Sequence, residues 1–224
     1  MSATTETLSV LATTIPGATA VFRKYKLDFC CGGAVSLAEA AAAKGLDADT
    51  IAQELAALAP AAAEAPSDPN ALIAHILTRY HEVHRRELPE LVRLAKRVEA
   101  VHGERPEAPK GLAAILAPFA RELDDHMRKE EMVLFPMMED GGNDFIRHPI
   151  GAMRSEHLEA GATLKELEKF AVEPPADACP TWRALNAGLA KFCDDLMNHI
   201  HLENNVLFPA FETDGHHEGC SCGH

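Results

Sequence analysis

Along four long segments of this chain, apolar residues recur in alternating steps of three and four. That is the period of a helix hiding one stripe and wetting the rest. The first seam runs Leu77, His81, His84, Leu88, Leu91, Ala95, Val98, announced by Asp68 as an N-cap and Pro69 at the first helical position. The second runs Leu112, Leu116, Phe119, Leu123, His126, Glu130, Val133, Met137. The third is Ile150, Met153, His157, Ala160, Leu164, Leu167, Ala171, and the fourth Trp182, Leu185, Leu189, Phe192, Leu196, His199, Glu203, Val206. The breaks at 102–109, 139–149 and 172–180 are short enough to join antiparallel neighbours. Residues 70–212 are therefore expected to form an up-down-up-down four-helix bundle, with Pro136 and Pro209 ending or bending their helices.

Upstream, residues 1–58 carry short helical patterns interrupted by Ile15-Pro16-Gly17 and Cys30-Cys31-Gly32-Gly33, which gives a small helical N-terminal domain. Residues 59–69 read as a Pro/Ala linker. Residues 213–224 form a His/Cys-rich tail without apolar periodicity. Its His216, His217, Cys220, Cys222 and His224 are either incidental or a weak auxiliary site for Zn, Cu or Fe. The expected fold class is all-α.

Charge narrows the partners. A net charge of −13 with histidine neutral argues against nucleic acid or an anionic membrane surface. No apolar run approaches the roughly 18 residues of a membrane helix, and no positive residue precedes Arg23 to suggest a secretory signal. The expected compartment is the cytoplasm, where cysteines stay reduced. A disulfide between Cys30 and Cys31 would be strained, since neighbouring Cα atoms stand only about 3.8 Å apart.

The chemistry lies inside the seams. The pattern His126-x-x-x-Glu130-x-x-x-Leu134-Phe135-Pro136 returns as His199-x-x-x-Glu203-x-x-x-Leu207-Phe208-Pro209. Residues i and i+4 share a helix face, so each copy offers an imidazole and a carboxylate to one point. Buried without partners, such groups would cost several kcal/mol each, and a cation compensates them. The first and third helices add His81 or His84, and His157. Four histidines and two carboxylates are too many for one tetrahedral zinc and suit two metals bridged by the glutamates. Imidazole and carboxylate without thiolate favours iron or manganese. Glu122 and Asp195, each four residues before a ligand histidine, either orient imidazoles or simply solvate their helices.

The bundle resembles the hemerythrin-like family, although its donor set is poorer in histidine than that of the oxygen carriers. It also departs from ferritin-like sites, whose mark is Glu-x-x-His. From about residue 5 to 212 the chain more closely resembles the iron-sulfur cluster repair (repair of iron centres) family. The resemblance is carried by Asp28-Phe29-Cys30-Cys31-Gly32-Gly33, Arg79-Tyr80-His81, Leu88-Pro89-Glu90-Leu91, Ser155-Glu156-His157 and Glu203-Asn204-Asn205-Val206-Leu207-Phe208-Pro209. It implies metal ligands at His81, His126, Glu130, His157, His199 and Glu203, which settles the choice between His81 and His84. It implies two non-haem iron ions, oxo- and carboxylate-bridged, in a protein made under nitrosative or oxidative stress. The partners implied are damaged iron-sulfur proteins and the small ligands O₂ and NO, with a homodimer allowed. Cys30 and Cys31 are the candidate reactive residues, suited to iron capture or electron delivery. Iron donation is the leading activity; reduction of NO to N₂O and an O₂/NO-responsive sensor are the alternatives.

Overall fold

The computed structural model describes residues 3–58, 65–66 and 68–212, so the expected tail, and all but a few residues of the expected linker, lie outside the described residues. Among the described residues every element is helical, apart from a single β-bridge between Thr7 and Ser36. No helix among them is long and apolar enough to cross a membrane.

Four short helices come first: α1 (Leu8–Thr14), α2 (Ala18–Lys24), α3 (Leu37–Ala42) and α4 (Ala48–Ala56). Helices this short do not hold by propensity. Three of them begin at capping side chains. Thr7 accepts from the amide of Val10, Ser36 and Glu39 form a reciprocal capping box, and Asp47 accepts from Asp49 and Thr50. Their buried faces, including Leu8, Phe22, Leu37 and Ile51, join one apolar core with the near half of the bundle.

The bundle begins at the predicted cap. Asp68 caps α5 (Pro69–Ile76) by accepting from the amide of Ala71 at 2.8 Å, with Pro69 in the first turn. The rod continues through a π-helical turn, Leu77–His81, into α6 (Glu82–His102). The second rod is α7 (Leu112–Lys129), a π-turn at Glu130–Leu134, and α8 (Phe135–Glu139). The third is α9 (Arg147–Leu167). The fourth is α10 (Pro180–Leu202), a π-turn at Glu203–Leu207, and α11 (Pro209–Glu212). Helix α6 packs against α7 and α10, and α9 closes the ring against both α7 and α10. This is the up-down-up-down bundle that the periodicity predicts.

The π-turns correct the seams. A wide turn closes i→i+5 hydrogen bonds, as from the Phe208 amide to the Glu203 carbonyl at 2.8 Å, and so inserts one extra residue. Beyond Glu130 the buried face moves on by one position. Val133, expected inside, is 51% exposed, while Leu134, Phe135 and Met138 are buried. Beyond Glu203 the same shift buries Leu207 and Phe208 in place of Val206. Pro136 and Pro209 explain two of these turns. A proline has no N–H to give, and its ring crowds the carbonyl four residues back; widening the preceding turn accommodates it. Helical structure therefore continues past both prolines, to Glu139 and Glu212.

The π-turns also divide the interior. A second, smaller core of Leu72, Ile73, Ile76, Leu134, Phe135, Met138, Ile146, Ile150, Met153, Leu207 and Phe208 fills the far end. The polar seam residues lie between the two cores.

Candidate metal centre

All six candidate ligands converge. His81, Glu130 and Glu203 are fully buried, His157 and His199 almost so, and His126 is 6% exposed. They form two groups of four donors: His81, His199, Glu130 and Glu203 in one, and His126, His157, Glu130 and Glu203 in the other. Each glutamate gives one oxygen to each group. Glu130 places Oε2 3.5 Å from His81 Nε2 and Oε1 3.4 Å from His126 Nε2. Glu203 places Oε1 2.9 Å from His199 Nε2 and Oε2 3.1 Å from His157 Nε2.

The geometry fits cations better than it fits hydrogen bonds. In each group two imidazole Nε2 atoms face one another at 3.1 Å. Cis donors at about 2.1 Å from one metal would stand about 3.0 Å apart. Both oxygens of Glu130 and Oε2 of Glu203 are buried without a hydrogen-bond partner, despite imidazoles within 3.1–3.5 Å. Such atoms aim at a common point between them rather than at each other.

The protonation pattern of the metal-free site follows from its charges. Burial alone would lower the pKa of His126, but Glu130 and Glu203 outweigh it and raise it to about 9. His81 is raised by the same contest between burial and its carboxylates. His199 goes the other way because burial prevails over Glu203. Burial would raise the carboxyl of Glu203, yet the surrounding histidines hold it well below the usual range. Protons here take the place of cations.

Three of the imidazoles are aimed by their outer nitrogens. His81 Nδ1 meets Glu131 at 2.8 Å, and Glu131 is itself clamped by Arg85. His126 Nδ1 meets Glu156 at 2.8 Å, with Lys129 behind it. His157 Nδ1 meets the Asn204 Oδ1 at 2.8 Å. Glu122 and Asp195 do neither imidazole this service. Glu122 is exposed, and Asp195 pairs with Arg79 and Lys191. An outer nitrogen points across the bundle to the next helix, not one turn back along its own. The residues missed by sequence reasoning each adjoin a ligand: Glu131 follows Glu130, Glu156 precedes His157, Asn204 follows Glu203. The internal repeat could have found them, because Glu131 serves His81 as Asn204 serves His157. The repeat breaks once. Where Glu156 bonds His126, its counterpart Tyr80 instead stacks on His199, 5.3 Å between centroids and 5° from parallel. His84 belongs to neither group; it is buried among Tyr80, Phe192 and His199 with both ring nitrogens unpartnered.

Outer partners of this kind typically carry 10–100-fold in metal affinity. Glu131→Ala is expected to weaken metal retention by about that factor in a chelator competition, with Glu131→Gln recovering part of it. Glu122→Ala serves as the exposed control. If Glu131→Ala retained metal as well as that control does, Glu131 would not orient His81.

The N-terminal helices dock their cysteine turn against the same site. Asp28 Oδ1 accepts from the amides of Cys31 and Gly32 at 3.0 Å, and Lys165 of α9 pairs with Asp28 Oδ2 at 2.9 Å. The thiol of Cys31 donates to the carbonyl of His157 at 3.4 Å, and the Asn204 amide donates to the carbonyl of Cys30 at 3.2 Å. His201 is buried beside the Phe29 ring, and burial depresses its pKa to about 4. The glycines permit this approach. A Cβ on Gly33 would clash with the Phe29 carbonyl, and one on Gly161 of α9 would press on Cys31 Sγ at 3.2 Å. Cys30 and Cys31 are free thiols with sulfurs 3.7 Å apart. The hydrogen bond to Cys31, then burial, pushes the Cys30 thiol well above its ordinary range.

A four-helix bundle with two buried His/Glu groups at mid-length defines a hemerythrin-type cation-binding protein. The hemerythrin HHE cation-binding domain family matches residues 72–211, and a domain of unknown function (DUF542) matches residues 4–59. The iron-sulfur cluster repair protein YtfE of Cronobacter sakazakii is 52% identical over 207 residues, which cover 90% of this chain and 94% of that protein. Proteins of the same name from Escherichia coli and Escherichia fergusonii are 50% identical over the same shares. The chain belongs to the family of iron-sulfur cluster repair proteins.

Proposed function

We propose that this protein restores iron-sulfur clusters damaged by nitrosative or oxidative stress, and that it does so by supplying iron held as a pair at His81, His126, Glu130, His157, His199 and Glu203. The observation that carries the reading is the sharing of both buried glutamates between two four-donor groups. A donor set of imidazoles and carboxylates without thiolate suits iron, and the relatives' function supplies the client class. The bundle, residues 70–212, is the holding unit; residues 1–58 are the unit that covers it.

Ferrous iron is the cargo here, and the residues' part is to hold it loosely enough to give it up. Glu130 and Glu203 would each give an oxygen to both ions, so movement of either carboxylate would loosen both. Glu131, Glu156 and Asn204 keep three imidazoles aimed inward. When iron leaves, His126 takes up a proton, since its metal-free pKa near 9 lies above neutrality. That proton replaces part of the lost positive charge beside Glu130 and Glu203.

The test is recovery of an NO-damaged [4Fe–4S] enzyme incubated with iron-loaded protein, against metal-free protein and against an equal amount of free ferrous salt. The expected result is recovery with the loaded protein alone, accompanied by loss of its iron. Recovery no better than with metal-free protein would sink the reading.

A further inference from the structure

The cysteine turn holds a second set of donors outside the paired site. We infer that Asp28, Cys30 and Cys31 form a separate site for one thiophilic divalent metal ion, placed where the N-terminal helices meet α9. The three donor atoms lie within 4.8 Å of one another. The two spacings that involve Cys30 are those of a tetrahedral site. Two thiolates at about 2.3 Å from a tetrahedral metal stand about 3.8 Å apart, and a thiolate and a carboxylate oxygen about 3.5 Å apart. Here Cys30 Sγ lies 3.7 Å from Cys31 Sγ and 3.5 Å from Asp28 Oδ1.

The surroundings prepare the donors. The amides of Cys31 and Gly32 fix Asp28 Oδ1, and Lys165 holds Oδ2, so the carboxylate cannot turn away from the sulfurs. A cavity that reaches Asp28 and Cys30 is lined also by Lys26, Lys44, Lys165 and Glu168. Three lysines would repel a bare cation, but they offset the charge of two thiolates and a carboxylate wrapped around one. Three protein donors would leave a fourth position for water or another ligand, unlike the closed four-ligand structural sites. Binding is balanced by protons: two S–H bonds break, two metal–sulfur bonds form, and two protons pass to solvent.

The position gives the site its use. Cys31 Sγ touches the backbone carbonyl of His157, whose ring belongs to the paired site. An ion at the thiols is thus separated from the pair by a single residue. That the ion in the cell is iron in transit rests on the iron-supply reading; the existence of the site does not.

Titration of iron-loaded protein with Co²⁺ tests it, using the full chain with Cys220→Ser and Cys222→Ser to remove the thiols of the tail. The expected result is one equivalent of cobalt with sulfur-to-metal charge-transfer absorption and tetrahedral visible bands, while the iron spectrum is unchanged. Cys30→Ser and Cys31→Ser should each abolish the charge-transfer signal. Asp28→Asn, which keeps an oxygen for the two amides, should weaken binding at least tenfold. Absence of the signal in the parent, or its survival in either serine variant, overturns the site. Unchanged affinity in Asp28→Asn removes Asp28 from it. Cobalt bound as expected by a protein that fails the cluster-recovery assay would sustain the site and discard the cargo reading alone.

Discussion

Glu203→Ala is expected to empty both metal positions, whereas His199→Ala should empty mainly one. Glu203 gives Oε1 to the group of His81 and His199 and Oε2 to the group of His126 and His157. His199 serves only the first. Loss of an outer partner alone costs 10–100-fold in affinity, so loss of a donor common to both groups should cost at least about 100-fold at each. The metal-free variant suffers as well. His81 and His126, whose pKa values the buried carboxylates raise, would lose the part of that support that Glu203 gives. Iron content by elemental analysis after anaerobic loading and desalting decides the matter. Glu203→Ala protein that kept half its iron would show that the carboxylate serves one group, not two.

The metal-free protein should lose stability as the pH rises from about 6.5 to about 9, and the iron-loaded protein should not. His126 titrates near 9 in the folded, metal-free state and near 6.5 when unfolded. Between those values the folded chain binds the extra proton, so its stability falls as that proton is lost. The stabilisation is complete below the unfolded value and gone above the folded one, about 3 kcal/mol in all. His81, also raised, acts in the same direction. His199 is lowered, so its contribution instead disappears on acidification below its unfolded value. In the loaded form the imidazole of His126 has no such proton to lose. Iron affinity should correspondingly rise with pH over this window, about tenfold per unit for each proton displaced. Urea denaturation of chelator-treated and iron-loaded protein at several pH values reads both. A metal-free curve that was flat, or rose, across the window would mean that His126 is not the proton-holding member of the site.

Much of this protein is legible along the chain because its two strongest signals are local. Alternating three/four spacing places the bundle, and Asp68-Pro69 marks its start within a residue. Polar side chains inside an apolar seam stand out because nothing but a partner could keep them there. The candidate ligands are therefore visible as outliers, although the seam leaves His81 and His84 level and only the family resemblance chooses His81. Periodicity misleads where hydrogen bonding departs from the ordinary helix. Val133, Met137 and Val206 point inward only if the α-helical period runs unbroken, and each π-turn shifts the residues beyond it by one position.

Sequence by itself determined the helices, their antiparallel order and the set of buried donors, because period, caps and turn lengths act over neighbouring residues. Only the tertiary structure decided that each glutamate is divided between two groups of imidazoles. It also decided that Glu131, Glu156 and Asn204 aim those rings, and that Asp28, Cys30 and Cys31 come to rest against His157. Each of these is a contact between segments tens of residues apart or more. Their distances are set by how four helices and a small capping domain fill space together, and no local spacing encodes that.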